Sequence, residues 1–573
     1  MVRLSVAAAL KLGKTTASGK GICGCPKAGR GRGFDRSFIK VRSLLVSALQ
    51  FDNCRAVSLP PPSHPVVDLF AGPGGLGEGF ASALGAADAP RFRTAVSIER
   101  DQFAHQTLLL RHFVRFFPAG EAPEDYYAFL SGRITPAELF ERHTEAYRHA
   151  QLSALRISLG PESHGEVRDA IKNRLGGTRR WALVGGPPCQ AYSLVGRARM
   201  TGQPGFGSDE RHTLYLEYLR IIADHAPPVF VMENVKGLLS ATIEGRSAIN
   251  RIVADLSRPA RALTDAPGDL SYRLYSLSHE DAVGDDVDPR LFVVRAEEHG
   301  IPQARHRMFI VGIRSDLKIR PGRLRRFAAP TVRDTIGSLP AIRSGLSRQP
   351  DSADLWAAEL RRISEMKLRA QLNGAPYAGE LARALSFGEL IEITHPRARA
   401  STRYAVRRPN HPVLRSLYDE RLPTLTGHEA RKHMASDLRR YLYAAMFAEK
   451  TGRSPKLADF PTDLLPGHRN VDLGCSGKMF SDRFRVQLPD RVSTTVTSHI
   501  CKDGHYFIHY DPVQCRSLTV REAARLQTFP DNYFFAGPRT EQYHQVGNAV
   551  PPQLAVQIAA IVGDVLDSMG PDD

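Results

Sequence analysis

Asp68-Leu-Phe-Ala-Gly-Pro-Gly-Gly-Leu-Gly77 reads as an apolar strand that runs into a glycine-rich turn, with a helical pattern starting near Glu78. Glycines in such a turn let backbone approach a bound cofactor closely. Their G-x-G-G-x-G order is not the dinucleotide fingerprint, and turns without ligands can look the same. Working outward, strand-like apolar runs at 66–70, 94–98, 181–184, 229–232 and 308–313 alternate with helical patterns. Leu214, Leu216, Tyr218, Leu219 and Ile222 are spaced like a buried helix face, which supplies the crossover that a parallel strand pair needs. The expected fold is α/β, a doubly wound, mostly parallel sheet covered by helices.

Composition narrows the function. The 573 residues carry 77 Lys or Arg against 60 Asp or Glu, a net charge of +17, as expected of a protein that meets phosphates. Residues 1–42 supply +9 of this, and the segment before the proline cluster at 60–65 reads as a disordered basic extension, 1–60, although an acid-poor start can also mimic a transit peptide. Seven scattered cysteines argue against a disulfide framework and for a reducing, cytoplasmic compartment. No run of about 18 apolar residues stands out, so no membrane partner is expected. After about residue 341 the alternation breaks, and residues 395–440 hold eleven Arg or Lys and four acids among aromatics and prolines, which suggests a second, basic domain.

The chemistry-bearing residues sit where strands end. Glu99 closes the second run, where a carboxylate suits paired hydrogen bonds to the two hydroxyls of a ribose; a surface glutamate is the alternative. Gly185-Gly-Pro-Pro-Cys-Gln190 places Cys189 in a stiff loop after a buried strand. Cysteines are usually core filler, but open sheets put their ligands at this end, and a loop-borne thiol can be exposed and deprotonated. Glu233-Asn-Val235 follows the next strand, so a carboxylate stands near a nucleophile. Gln303-Ala-Arg-His-Arg307, Thr519 to Pro530 and Gln545-Val-Gly-Asn-Ala-Val-Pro-Pro552 complete six blocks.

Together these blocks resemble the DNA (cytosine-5) methyltransferase family of bacterial restriction-modification systems, over roughly residues 66–340 and 480–565. The resemblance implies a Rossmann-like, S-adenosyl-L-methionine-dependent catalytic domain at 61–340, an inserted target-recognition domain at 341–490 and a C-terminal return at 491–573. It implies Cys189 as nucleophile, Glu233 at the ring nitrogen of a flipped cytosine, and Arg305 and Arg307 orienting the base and its backbone. Phe70, Ala71, Gly72, Gly74, Gly75, Glu99, Pro187, Leu214 and Asn548 are then cofactor residues. Double-stranded DNA is the implied substrate, with Gln190, Ser193, Arg397, Arg399, Arg403, Arg407, Arg408 and Lys502 as contacts. A cognate restriction endonuclease acting separately and a monomeric enzyme are further implications.

The chain departs from a compact family member at 101–165, a stretch rich in aromatics and His that reads as an insertion. This leaves Asp169 as the best adenine contact, beside the reading of an exposed loop acid. His505, His509, Cys501 and Cys515 match no zinc spacing, so no metal is expected. An enzyme of the same fold acting on RNA and a catalytically silent DNA-binding relative are the rival readings. A nicotinamide oxidoreductase leaves the Pro-Pro-Cys loop without a purpose.

Overall fold

The computed structural model describes residues 63–85, 88–188, 214–243, 246–280, 287–366, 368–372, 375–386, 388–390, 398–467, 471–477 and 481–570. The expected extension at 1–60 lies outside them, as do Cys189, Gln190, Ser193 and Arg397.

The central sheet begins with β1 (His64–Leu69), β2 (Phe92–Ile98), β3 (Ala154–Leu155), β4 (Ala182–Gly185) and β5 (Val229–Val235). After a short hairpin of β6 (Thr242–Ile243) and β7 (Arg246–Ser247), it is completed by β8 (Tyr272–Ser276), β9 (Val293–Arg295) and, beyond β10 (Gln303–Ala304), β11 (His306–Arg314). Strand order is β3-β2-β1-β4-β5-β11-β8, with β9 paired to β11. The first five strands are parallel, and β11 runs antiparallel to β5, β8 and β9. The order reverses between β1 and β4, which opens the crevice where such sheets hold ligands.

The apolar side chains Val66, Val67 and Leu69 of β1 alternate between two cores. Val67 and Leu69 join one with Val96, Leu183 and Met232; Val66 joins the other with Ala182, Val184 and Val231. Helices α1 (Gly75–Ala81), α2 (Gln102–Val114), α3 (Glu124–Leu130), α4 (Pro136–Arg142), α5 (Thr144–Ser153), α6 (His164–Leu175), α7 (Leu214–His225) and α8 (Ala248–Ser257) follow the strands. In α7, Tyr218, Leu219 and Ile222 are buried as expected, but Tyr215 and Ile221 take the inner positions expected of Leu214 and Leu216, which are half-buried.

The region expected as an insertion proves to be the β2-to-β3 crossover: α2 to α5 gather Phe113, Tyr126, Tyr127 and Leu130 into a core of their own. Strand β3 escapes sequence reading because two residues carry no periodicity. The outer strands β8 and β9 were not expected either.

Residues 341–490 enclose a separate core around Trp356, Leu442 and Phe447, with β12 (Gly345–Leu346) paired to β13 (Lys432–His433) and α9 (Ala435–Thr451) at its centre. Ile508 and Cys515 also enter this core, so it crosses the boundary expected at 490. Strand β14 (Ser493–Thr494) then pairs with β10, and α10 (Val520–Leu526), α11 (Arg539–Asn548) and α12 (Pro552–Asp567) return the chain to the sheet. One stretch, Arg539–Asp567, is long and apolar enough to cross a membrane by length and composition, contrary to the sequence reading. Its apolar window is 72% buried within the fold, because α12 packs Leu554, Ile558 and Val562 beneath β1 and β4.

Candidate active site

The glycine-rich turn is shaped by positive φ at Phe70 (54°), Gly72 (58°) and Gly74 (94°). Gly72 N donates to Glu99 Oε2 at 2.8 Å, and Asp101 N to Oε1 at 2.7 Å, so the carboxylate at the end of β2 holds the turn beside β1. Burial pushes the Glu99 carboxyl up, and these N–H groups oppose it. A Cβ on Gly72 would meet nothing within 4 Å, so the backbone there faces open space, with Phe70 and Ala71 half-buried beside it.

Gly74 and Gly75, expected at the cofactor, have another reason to be glycine. Their Cβ positions fall 2.8 Å from Leu108 Cδ1 and 2.2 Å from the Val550 carbonyl, so the missing side chains admit α2 and the return block. Beneath the turn lies Asp68, fully buried, which sequence reading did not single out. Neither of its oxygens has a well-formed hydrogen bond, and burial pushes its carboxyl up to about 7, only partly offset by Arg115 and the Gly77 N–H.

At the ends of β4 and β5 the chain converges. A Cβ on Gly186 would lie 3.0 Å from Glu233 Oε2, so the loop carrying Pro187 and Pro188 passes directly over that carboxylate. Asn234 Nδ2 donates to the Pro187 carbonyl at 3.3 Å, a restraint on the loop that sequence reading missed. Cys189 is the next residue after Pro188 and lies outside the described residues. Glu233 pairs with Arg307, Oε1 to Nε 3.2 Å. Burial pushes the Glu233 carboxyl up against the pull of Arg307 and Arg305.

The two arginines therefore do different jobs. Arg307 faces Glu233, whereas Arg305 is fully buried and donates to the carbonyls of Val496 (2.8 Å) and Gly547 (3.2 Å). It pins the return block rather than reaching into the crevice. Gln303 assists: its Nε2 donates to the Leu526 carbonyl and to Gln527, and its Oε1 accepts from Val496 N. Asn548, exposed at the end of α11, stands between Gly547 on Arg305 and Val550 on the glycine turn.

The remaining expected residues scatter. Asp169 is exposed on α6, a helix rather than a loop. Leu214 starts α7, half-buried. Arg399 turns inward, its Nη1 on the Ala430 carbonyl and on Glu429. Arg408 pairs with Glu420. Arg403 and Arg407 are exposed, with no protein partner for either guanidinium among the described residues. Lys502 is exposed, its carbonyl held by Arg431. Cys501, Cys515, His505 and His509 contact His544, Leu438, Tyr441 and Glu522 respectively.

The sequence profile of the C-5 cytosine-specific DNA methylase family matches residues 155–259 and 276–563. This differs from the extent read off the motifs: it begins after the helical crossover and runs through the second core. The chain is 31% identical over 526 residues to the type II methyltransferase M.Bpa9945I of Bacillus paralicheniformis, across 88% of this chain and 99% of that one. It is 27% identical over 425 residues to the DNA (cytosine-5-)-methyltransferase M.ApeKI of Aeropyrum pernix, across 69% and 83%. A crystal structure from Escherichia coli, assigned as a prophage-encoded DNA modification methyltransferase, superposes with a TM-score of 0.50 at 19% identity, across 88% and 100%, and so shares the fold. The chain belongs to the C-5 cytosine-specific DNA methylase family and is a DNA (cytosine-5-)-methyltransferase.

Proposed function

We propose that the enzyme methylates carbon 5 of a cytosine flipped out of a short duplex site, through a covalent adduct with Cys189. The observation that carries this is the half-buried Glu233–Arg307 pair under the Gly186–Pro188 loop, one residue before the thiol. Carbon 5 of cytosine is a poor nucleophile. Addition of the Cys189 thiolate to carbon 6 turns the ring into an enamine, and Glu233 holds the ring nitrogen, a role its upward-shifted carboxyl supports by favouring a shared proton. Loss of the carbon 5 proton after methylation expels Cys189 and restores the enzyme. Extruding the base costs a few kcal/mol, which phosphate and pocket contacts offset.

S-adenosyl-L-methionine, bound at the β1/β4 crevice, would supply an electrophilic methyl group. The open space at Gly72 and the Glu99 carboxylate at the strand end fit its nucleoside half, with Phe70, Ala71, Pro187 and Asn548 around it. Residues 341–490 act as the target-recognition domain between the two catalytic segments, and Arg403, Arg407 and Lys502 contact DNA. The enzyme works as a monomer, and it protects sites cut by a separate restriction endonuclease, the latter in keeping with the type II relative.

Bisulfite sequencing of plasmid from cells expressing wild type or Cys189→Ala tests the reading. Protected cytosines at one short motif, absent with the variant, are expected. Protection that survives Cys189→Ala would overturn the adduct, and no protection with wild type would point to RNA or to a catalytically silent relative, which the same assay on total RNA separates.

A further inference from the structure

We infer that the helical crossover between β2 and β3 is a brace that sets the path of the basic segment 402–422, with Tyr127 and Asp419 as positioning residues for DNA. The inference rests on the reading that this segment contacts DNA.

Asp419 is a half-buried acid in a basic stretch, and its partners come from α3, from the return block and from two other points of the segment itself. Its Oδ2 accepts from Tyr127 OH in α3 at 2.9 Å and from Asn532 Nδ2 in the return block at 2.6 Å. Its Oδ1 accepts from Arg421 N at 2.9 Å, and its own N–H donates to Tyr404 OH at 3.0 Å. Tyr404 stands next to Arg403, so the hub fixes the backbone that carries an unpaired, outward cation.

The same crossover grips the other end of the segment. The Arg421 guanidinium lies 4.6 Å over the Tyr127 ring, donates to the Gly120 carbonyl at 3.1 Å and pairs with Glu124. Leu422 is buried in the aromatic core of α2 to α5. The brace is itself anchored to the catalytic sheet: Asn532 Oδ1 accepts from Arg111, whose guanidinium pairs with Glu78 of α1, the helix that follows the glycine turn. Both acids of the segment are held internally, Asp419 by the hydrogen bonds of this hub and Glu420 by its ion pair with Arg408. Arg403, Arg407 and Arg415 are left as exposed cations with no acidic partner among the described residues.

A hub of this kind acts on DNA binding through geometry. Its loss should weaken DNA capture while leaving the chemistry at Cys189 and Glu233 alone. The test is steady-state methyl transfer to a plasmid that the wild type methylates, with cofactor affinity measured by calorimetry. For Asp419→Asn, which puts an amide against two donors, the KM for DNA should rise roughly tenfold; for the milder Tyr127→Phe, about threefold. Both should keep kcat at saturating DNA and the cofactor Kd within about twofold of wild type, by the same reasoning. Arg403→Ala/Arg407→Ala is the control for the underlying reading. An unchanged KM for DNA in that control removes the segment from the interface and the brace with it. A raised KM in the control, with no change in Asp419→Asn and Tyr127→Phe, overturns the brace alone. Parallel loss of kcat and cofactor affinity in both hub variants also overturns it, since the crossover would then merely support the fold.

Discussion

The carboxyl ends of β4 and β5 and the basic segment 398–422 treat their charged residues in opposite ways. At the strand ends, residues far apart in sequence are delivered to one place: Gly186 over Glu233, Asn234 on Pro187, Arg307 on Glu233. In the basic segment, arginines close in sequence are sent apart: Arg399 inward to Glu429, Arg408 to Glu420, Arg403 and Arg407 outward. A strand end positions a side chain by backbone register, which the pairing of Glu233 with Phe309 and of Val235 with Arg307 makes explicit. A loop charge gains a position only from the partners that capture it.

The comparison is tested hardest at Glu233. Glu233→Gln keeps the shape and the strand register but removes the charge that faces Arg307. Methyl transfer at saturating DNA should fall by roughly 10²- to 10⁴-fold, the usual worth of a positioned acid or base. A loss of less than about tenfold would mean that register has placed a carboxylate with no catalytic part.

Asp68 sharpens the same contrast, because a strand end can also bury a carboxyl that its neighbours only partly satisfy. Its folded carboxyl lies at about 7 against an ordinary 3.8, so between those values the folded state holds a proton that the unfolded state has released. Stability from this group is fully present below pH 3.8 and is lost as pH rises through 7, a change of about 4 kcal/mol over the window. Asp68→Asn cannot release that proton. Denaturant unfolding at pH 4 and pH 8 should show the variant gaining on wild type by about that amount, and a constant difference would mean that Asp68 is ionised throughout.

What was legible in the sequence follows the same division. Strands β1, β2, β4, β5 and β11 were read from apolar runs, and the strand-end residues Glu99, Pro187 and Glu233 came with them. Two-residue β3 and the outer strands β8 and β9 had too little pattern to read. Gly75 looked like a cofactor glycine because a turn and a helix contact make the same demand for a missing Cβ; only the Val550 carbonyl, 2.2 Å from where a Cβ would sit, separates them. Arg305 and Arg307 share a motif and alternate in spacing, yet the partners that divide them, Val496 and Gly547 against Glu233, lie over 70 residues away in sequence. The hub at Asp419 was invisible for the same reason: its donors come from α3 and from the return block.

The smallest expected effect decides whether the outward arginines earn their reading. Each phosphate contact contributes about 0.9 to the slope of log affinity against log salt on duplex DNA. Arg403→Ala and Arg407→Ala should each flatten that slope by about one, weaken binding a few-fold at moderate salt, and leave the unfolding midpoint in place. Arg399→Ala should do the reverse. It removes a guanidinium that packs on Gly345 and donates to the Ala430 carbonyl, so it should cost on the order of 1 kcal/mol in stability with the salt slope unchanged. Fluorescence anisotropy on a labelled duplex across a salt series, with thermal unfolding on the same preparations, separates the two classes. If Arg399→Ala flattened the slope as much as Arg407→Ala, the partners seen in the fold would not govern which charges meet DNA, and the contrast between strand ends and the basic segment would fail at its second half.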